Sequence, residues 1–144
     1  MLKNLISNFH THTYLCGHAS GTIGDYVEQA QKDGCSALGF SDHCPYPENS
    51  GNYWPDIKKK EKQAYTYIEE IKSFAKQSDF PIYTGFECEW DQNYESWYKE
   101  VLLGKMGVDY LVLGPHWVTL GNEHLYALEF TTKEQLHKYI NQNI

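Results

Sequence analysis

No apolar run in the 144-residue sequence approaches the roughly 20 residues that a membrane-crossing helix needs, so a membrane span is not expected. The opening stretch, Met1 to Phe9, has neither a long apolar core nor a small-residue cleavage site, and no secretory signal is read there. A basic surplus is also missing. The chain carries 12 Lys+Arg against 19 Asp+Glu, a formal net charge of -7, which argues against general nucleic-acid binding because that requires a surface able to displace counterions from phosphate. Cys16, Cys35, Cys44 and Cys88 contain no C-x-x-C pair, so neither a disulfide framework nor a paired-cysteine zinc ribbon is indicated. Reduced thiols in a cytoplasmic protein are the expectation. Repeats and low-complexity tracts are absent as well, and a single domain over residues 1–144 follows from the length.

Apolar residues supply 41% of the chain and aromatics 15%, enough to build a core and to set disorder aside. Strand-like and helix-like segments alternate. Residues 2–9 read as a short strand. Thr22-Ile23-Gly24-Asp25 is a capping-box pattern that opens a helix with Ile23, Tyr26, Val27 and Ala30 on one face, and Gly34 is suited to end it. Residues 37–41 form a buried-strand pattern. Residues 45–55, with Pro45, Pro47 and Pro55, read as an ordered loop. A long helix is expected over 57–76, with Ala64, Ile68, Ile71 and Ala75 facing inward, and a third strand over 81–86. Tyr94, Trp97, Tyr98, Val101 and Leu102 give a helical stripe. Residues 110–114 are the fourth strand, and Thr131-Thr132-Lys133-Glu134 caps a last helix with Leu136, Tyr139 and Ile140 turned inward. This order is that of parallel βαβ units in an α/β fold.

Seven histidines are many for an acidic chain of this size, and five of them fall at element ends. His10 and His12 follow the first strand, Asp42 and His43 the second. Glu87 and Glu89 end the third, and His116 follows the fourth. The C-terminal edge of a parallel sheet is where α/β folds build sites, because the loops converge there. Residues i and i+2 of an extended chain point the same way, so His10 can join His12 at one ion, and Glu87 shares a face with Glu89. His18 lies in a glycine-containing loop that can fold back over them. Imidazoles mixed with carboxylates suit zinc, manganese or iron(II), and ligands from several strands suggest more than one ion. Asp42 fits better as a group that orients a neighbouring imidazole, and Glu89 reads either as a ligand or as only a supporting or surface carboxylate. His124 and His137 read as ordinary surface or core residues. The four tryptophans, Trp54, Trp90, Trp97 and Trp117, read as core, with Trp90 and Trp117 placed to wall a pocket. A Cys/His zinc site from Cys16, His18, His43 and Cys44 is a separate option.

Five segments taken in order resemble the successive motifs of the PHP superfamily (polymerase and histidinol phosphatase), and most closely its histidinol-phosphatase branch. They are Phe9-His10-Thr11-His12-Thr13, Cys16-Gly17-His18-Ala19, Gly39-Phe40-Ser41-Asp42-His43, Gly85-Phe86-Glu87 and Gly114-Pro115-His116. The resemblance implies a distorted seven-stranded (β/α) barrel with a trinuclear metal centre at the C-terminal strand ends. The four strands read here would be its N-terminal portion. Carried over by position, His10 and His12 would hold the first metal, with Glu87 bridging to a second held by His116. His18 and His43 would hold the third. The implied reaction is hydrolysis of a phosphomonoester such as L-histidinol phosphate by metal-bound hydroxide, with a small phosphorylated metabolite as partner.

The family barrel runs to roughly 250 residues and adds a later histidine and an Asp-x-His motif, and nothing after His116 matches these. The expectation is a single PHP domain incomplete at its C-terminus, with fewer than three bound ions. An open sheet edge would then be available for self-association. The alternative to a phosphatase is a non-catalytic metal-binding or self-associating module.

Overall fold

A computed structural model describes residues 6–47, 61–120, 123–126 and 132–143. Four strands, β1 (Ser7–Asn8), β2 (Ala37–Phe40), β3 (Ile82–Cys88) and β4 (Tyr110–Leu113), pair in parallel in the order β1-β2-β3-β4. They form a curled half-barrel with flanking helices, so the α/β reading of four parallel strands holds. Only Ser7–Asn8 of the first expected strand is paired, and residues 1–5 lie outside the described residues.

Helix α1 (Ile23–Asp33) begins as its sequence dictates. The Thr22 N–H donates to Asp25 Oδ2 at 2.7 Å, and the Asp25 N–H donates to Thr22 Oγ1 at 3.2 Å. It stops at Gly34, whose φ of 68° is left-handed. Ile23, Val27 and Ala30 are its buried face. Helix α2 (Glu61–Gln77) buries Ala64, Tyr67, Ile68 and Ile71 at i, i+3, i+4, i+7. The expected residues 57–60, and all but 45–47 of the expected loop, are outside the described residues.

Side chains of β3 alternate as a two-faced strand requires. Ile82, Thr84, Phe86 and Cys88 are buried on the outer, helix-covered face, where the Tyr67 ring stacks on Phe86 at 5.4 Å. Burying each such aromatic is worth about 1.5–3 kcal/mol. Tyr83, Gly85 and Glu87 occupy the other face. There the Tyr110 ring lies across β2 and β3, its hydroxyl 3.0 Å from the carbonyl oxygens of both Phe9 and Phe40. A Cβ on Gly85 would stand 2.6–2.8 Å from that ring, so only glycine admits it.

One reading is refined, one element is added and one expectation is corrected. The stripe from Tyr94 to Leu102 is helical but not a regular α-helix. After a 3-10 turn (Gln92–Tyr94) the chain winds as a π-helix over Trp97–Lys105, with Tyr98, Leu102 and Met106 buried at intervals of four. Beyond β4 comes an antiparallel hairpin that was not expected, β5 (Trp117–Leu120) with β6 (Glu123–Tyr126), in which Trp117 pairs Tyr126. In the last helix, α3 (Lys133–Asn143), Leu136 is 46% and Ile140 39% exposed, so neither faces inward. Periodicity marks a face without supplying what covers it. No described helix is long and apolar enough to cross a membrane.

Candidate metal centre

Strand pairing continues past the named strands into the loops and thereby registers the polar residues. The Ser41 N–H donates to the Thr11 carbonyl at 2.9 Å, and the Glu87 N–H donates to the Asp42 carbonyl at 3.0 Å. The Cys44 N–H donates to the Glu87 carbonyl and the Gly114 N–H to the Cys88 carbonyl, both at 2.9 Å. His43 and Glu87 thus sit side by side on a bridge.

The six residues expected to ligate metal all line one cavity of about 360 Å³: His10, His12, His18, His43, Glu87 and His116. Glu87 is central and only 4% exposed. His12 Nε2 lies 3.1 Å from its carboxylate, His10 Nε2 3.3 Å, His43 Nδ1 3.4 Å and His116 Nε2 3.7 Å. His10 Nε2 and His12 Nε2 are 3.1 Å apart, and His18 Nε2 and His43 Nε2 2.9 Å. Donors 2.0–2.1 Å from a tetrahedral ion stand about 3.3 Å from one another, so the spacing and chemistry of this set fit a zinc-like divalent cation. His10, His12 and Glu87 form one group with donor atoms close enough to share an ion.

Gly114 makes room for the carboxylate. A Cβ there would overlap Glu87 Oε1 and come within 2.6 Å of its Cγ and 2.7 Å of its Cδ.

The electrostatics follow from this packing. Burial alone would raise the pKa of Glu87, but the His12 hydrogen bond and the charges of His43, His116 and His10 bring it to about 2. Burial pushes His43 down to about 4, helped by His12, His18 and His116 and opposed by Glu87. Near neutral pH the carboxylate is therefore ionised and the His43 ring is neutral. Both are the forms a metal requires.

Supporting residues hold the ring in place. Both oxygens of Glu89 accept from the His116 N–H at 3.0 and 2.9 Å, and Oε1 lies 2.6 Å from His116 Nδ1. That hydrogen bond is the main cause raising the His116 pKa. Glu89 is set in turn by Tyr46, whose hydroxyl accepts its N–H at 3.0 Å, and by Tyr98, whose hydroxyl donates to its carbonyl at 2.7 Å. The π-helix thus bears on the site through Tyr98. Asp42 is fully buried and accepts from the Thr13 N–H at 2.8 Å and the Thr13 hydroxyl at 2.6 Å. Its Oδ1 is 3.7 Å from His12 Nδ1. Its short contacts thus go to the Thr13 turn, with His12 at longer range.

Some expected groupings do not form. Cys44 is buried in the hydrophobic core, and among the described residues it belongs to no donor group with the histidines, so Cys16, His18, His43 and Cys44 are not gathered at one ion. All four cysteines are free. Trp90, 48% exposed, leans on Tyr98, and Trp117 contacts Tyr126; neither lines the histidine cavity. Trp97 packs partly buried against the core, and Trp54 is outside the described residues. His137 is exposed. Two contributors were not foreseen. Tyr126 enters the cavity by pairing with Trp117 and stacks on His116 at 6.2 Å, and Thr13 anchors the first loop. Gly121-Asn122, the two residues between paired Leu120 and Glu123, is the sequence signal that marks such a hairpin.

Residues 8–144 match the family model of the PHP domain. The chain belongs to the PHP domain family. Among similar proteins is a probable histidinol-phosphatase of Deinococcus radiodurans, 34% identical over 113 residues, which are 76% of this chain and 41% of that protein. A histidinol-phosphatase of Bacillus subtilis is 31% identical over 91 residues, covering 60% of this chain and 34% of its own length. A probable phosphatase of Aliivibrio fischeri is 37% identical over 51 residues, 35% of this chain and 21% of that protein. This PHP chain therefore matches at most about two fifths of the length of these relatives.

Proposed function

We propose that this PHP chain carries a divalent-metal centre for phosphomonoester hydrolysis, with zinc, manganese or iron held by His10, His12, His18, His43, Glu87 and His116. A small phosphorylated metabolite, with L-histidinol phosphate as the first candidate, is the substrate. The convergence of four imidazoles on one buried, ionised carboxylate at tetrahedral donor spacing, with His18 beside His43, supports this reading. The names of the relatives, a histidinol-phosphatase and a probable histidinol-phosphatase, support the choice of substrate.

Charge supports it independently. Among the described residues the cavity is lined by histidines, Glu87 and Tyr126, with no lysine, and the sequence contains no arginine. A phosphate dianion entering it would face an ionised carboxylate. Bound metal ions would reverse that sign, stabilise charge on the phosphoryl oxygens and supply an activated water. The protein side chains act around that chemistry. Neutral His43 presents a lone pair because burial keeps its proton off. Glu89 holds a proton at His116 Nδ1 and leaves Nε2 turned to the centre.

The test is phosphate release from L-histidinol phosphate by chain reconstituted with zinc or manganese, compared with Glu87→Gln. Metal-dependent release that the variant loses is expected. Release unaffected by chelator would overturn the reading.

A second reading, a non-catalytic module that self-associates, is favoured by apolar exposure. Phe9 is 42%, Tyr83 38% and Leu113 53% exposed, and among the described residues no strand pairs with the far edge of β4. A concentration-dependent dimer in sedimentation, without metal-dependent turnover, would favour it.

A further inference from the structure

We propose that Cys16 is itself a metal ligand, joining His12 and His18 in a thiolate-containing group beside the His10–His12–Glu87 group. The inference rests on the metal-centre reading above and adds to it a soft donor that selects the ion. One ligand atom from each of His12, Cys16 and His18 lies within 4.8 Å of the others. Cys16 is a free thiol, 3% exposed.

The local backbone explains the convergence. Tyr14–Cys16 is a 3-10 turn capped by Thr13, whose hydroxyl accepts from the Leu15 N–H at 3.3 Å. The Cys16 N–H donates to the Thr13 carbonyl at 3.1 Å, and Gly17, at φ 82°, closes the turn with its N–H on the Tyr14 carbonyl at 3.2 Å. The chain reverses there and carries His18 back toward His12, with Cys16 on the inside of the bend. Because Thr13 is bonded twice to fully buried Asp42, the thiol is positioned by the core rather than by a loose loop.

Cys16 is distinguished from the other cysteines by its neighbours. Cys44 and Cys88 are buried in the hydrophobic core, and Cys35 packs against it. Among the described residues, Cys16 alone of the four belongs to a group with histidines. A thiol that binds metal releases its proton to solvent as the sulfur–metal bond forms. The resulting thiolate favours zinc over manganese, whereas imidazole and carboxylate alone discriminate less. His12 belongs to both groups, which links them through one side chain.

X-ray absorption at the zinc edge, on the full chain loaded with one equivalent of zinc, tests this without any substitution. The proposal expects a sulfur scatterer at about 2.3 Å beside nitrogen and oxygen at 2.0–2.1 Å. A shell of nitrogen and oxygen alone overturns it and leaves the metal centre standing. Failure to bind zinc at all overturns both readings. With cobalt(II) as the probe, the near-ultraviolet thiolate-to-metal band should be lost in Cys16→Ser and kept in Cys35→Ser. A band that persists in Cys16→Ser contradicts the assignment.

Discussion

Adding one methyl group at Gly114 should dismantle the centre while leaving the fold in place. In Gly114→Ala the new Cβ would lie 2.6 Å from Glu87 Cγ and 2.7 Å from Cδ, and it would overlap Oε1. An ordinary carbon contact is about 3.5–4.0 Å, so the carboxylate must retreat by roughly 0.8 Å or more. Metal–ligand bonds tolerate only about ±0.2 Å. Glu87 is also the hub, standing 3.1–3.7 Å from His10, His12, His43 and His116, so one displacement breaks several spacings together. Overpacking of this kind costs about 1–3 kcal/mol in stability. The loss of a placed ligand should weaken metal binding by at least the 10–100-fold typical of a disturbed supporting group. Competition between the protein and a chromophoric chelator for zinc measures the affinity, and chemical denaturation of the metal-free chain measures the stability. Zinc affinity within about threefold of the unsubstituted chain would refute the reasoning, since about 0.7 kcal/mol is too little for a lost ligand.

Three further outcomes are expected. The metal-free chain should lose stability in acid. Between pH 6.5 and about 4 the unfolded chain protonates at His43 where the folded chain does not, and between pH 4.5 and about 2 the same holds at Glu87. Each slope is positive in pH, up to about 1.4 kcal/mol per unit. His116, with its pKa raised, contributes in the opposite sense, giving stability below pH 6.5 that is lost as pH rises through its folded value. Thermal unfolding against pH, with and without zinc, would show the net acid loss, and a flat profile from pH 7 to 4 would contradict it. Asp42→Ala strips the acceptor from the buried Thr13 N–H and hydroxyl. It should cost about 1–3 kcal/mol by denaturant titration and also weaken zinc binding, because the Thr13 turn carries His12, Cys16 and His18. Tyr67→Phe removes the hydroxyl that donates to the Gly85 carbonyl at 3.1 Å and accepts from the Asp42 N–H at 3.2 Å. A similar stability loss is expected, with zinc affinity unchanged.

The strands and their polar ends were legible because two periodicities coincide in this sequence. Ala37 to Phe40 and Tyr110 to Leu113 are short apolar runs, and each is followed at once by a histidine or carboxylate segment. The i, i+2 spacing of His10 and His12 needs only an extended chain to bring the rings together, and the structure places their Nε2 atoms 3.1 Å apart. What escaped depends on long-range packing. The spacing of Tyr94, Trp97, Tyr98 and Leu102 fits an α-helix, but the buried positions Tyr98, Leu102 and Met106 recur every four residues, as the wider π winding allows. Tyr126 reaches the cavity only because a hairpin folds it back beside Trp117, and its Gly-Asn signal lies within a stretch without strong alternation. Glu89 could not be assigned from spacing alone, because its role depends on where the loop after β4 delivers His116. Cys16 and Cys44, equivalent in sequence as neighbours of histidines, are separated by the turn that brings one to His12 and His18 and by the packing that buries the other in the hydrophobic core.

Metal content after equilibration with zinc and removal of free ion, in the unsubstituted chain and in Glu87→Gln and His12→Ala, tests the central claim most directly. At least one tightly held ion per unsubstituted chain is expected, with loss from both variants while their circular dichroism stays native. A native chain that retains no zinc, or variants that retain as much as the parent, would contradict the assignment of this cluster as a metal centre.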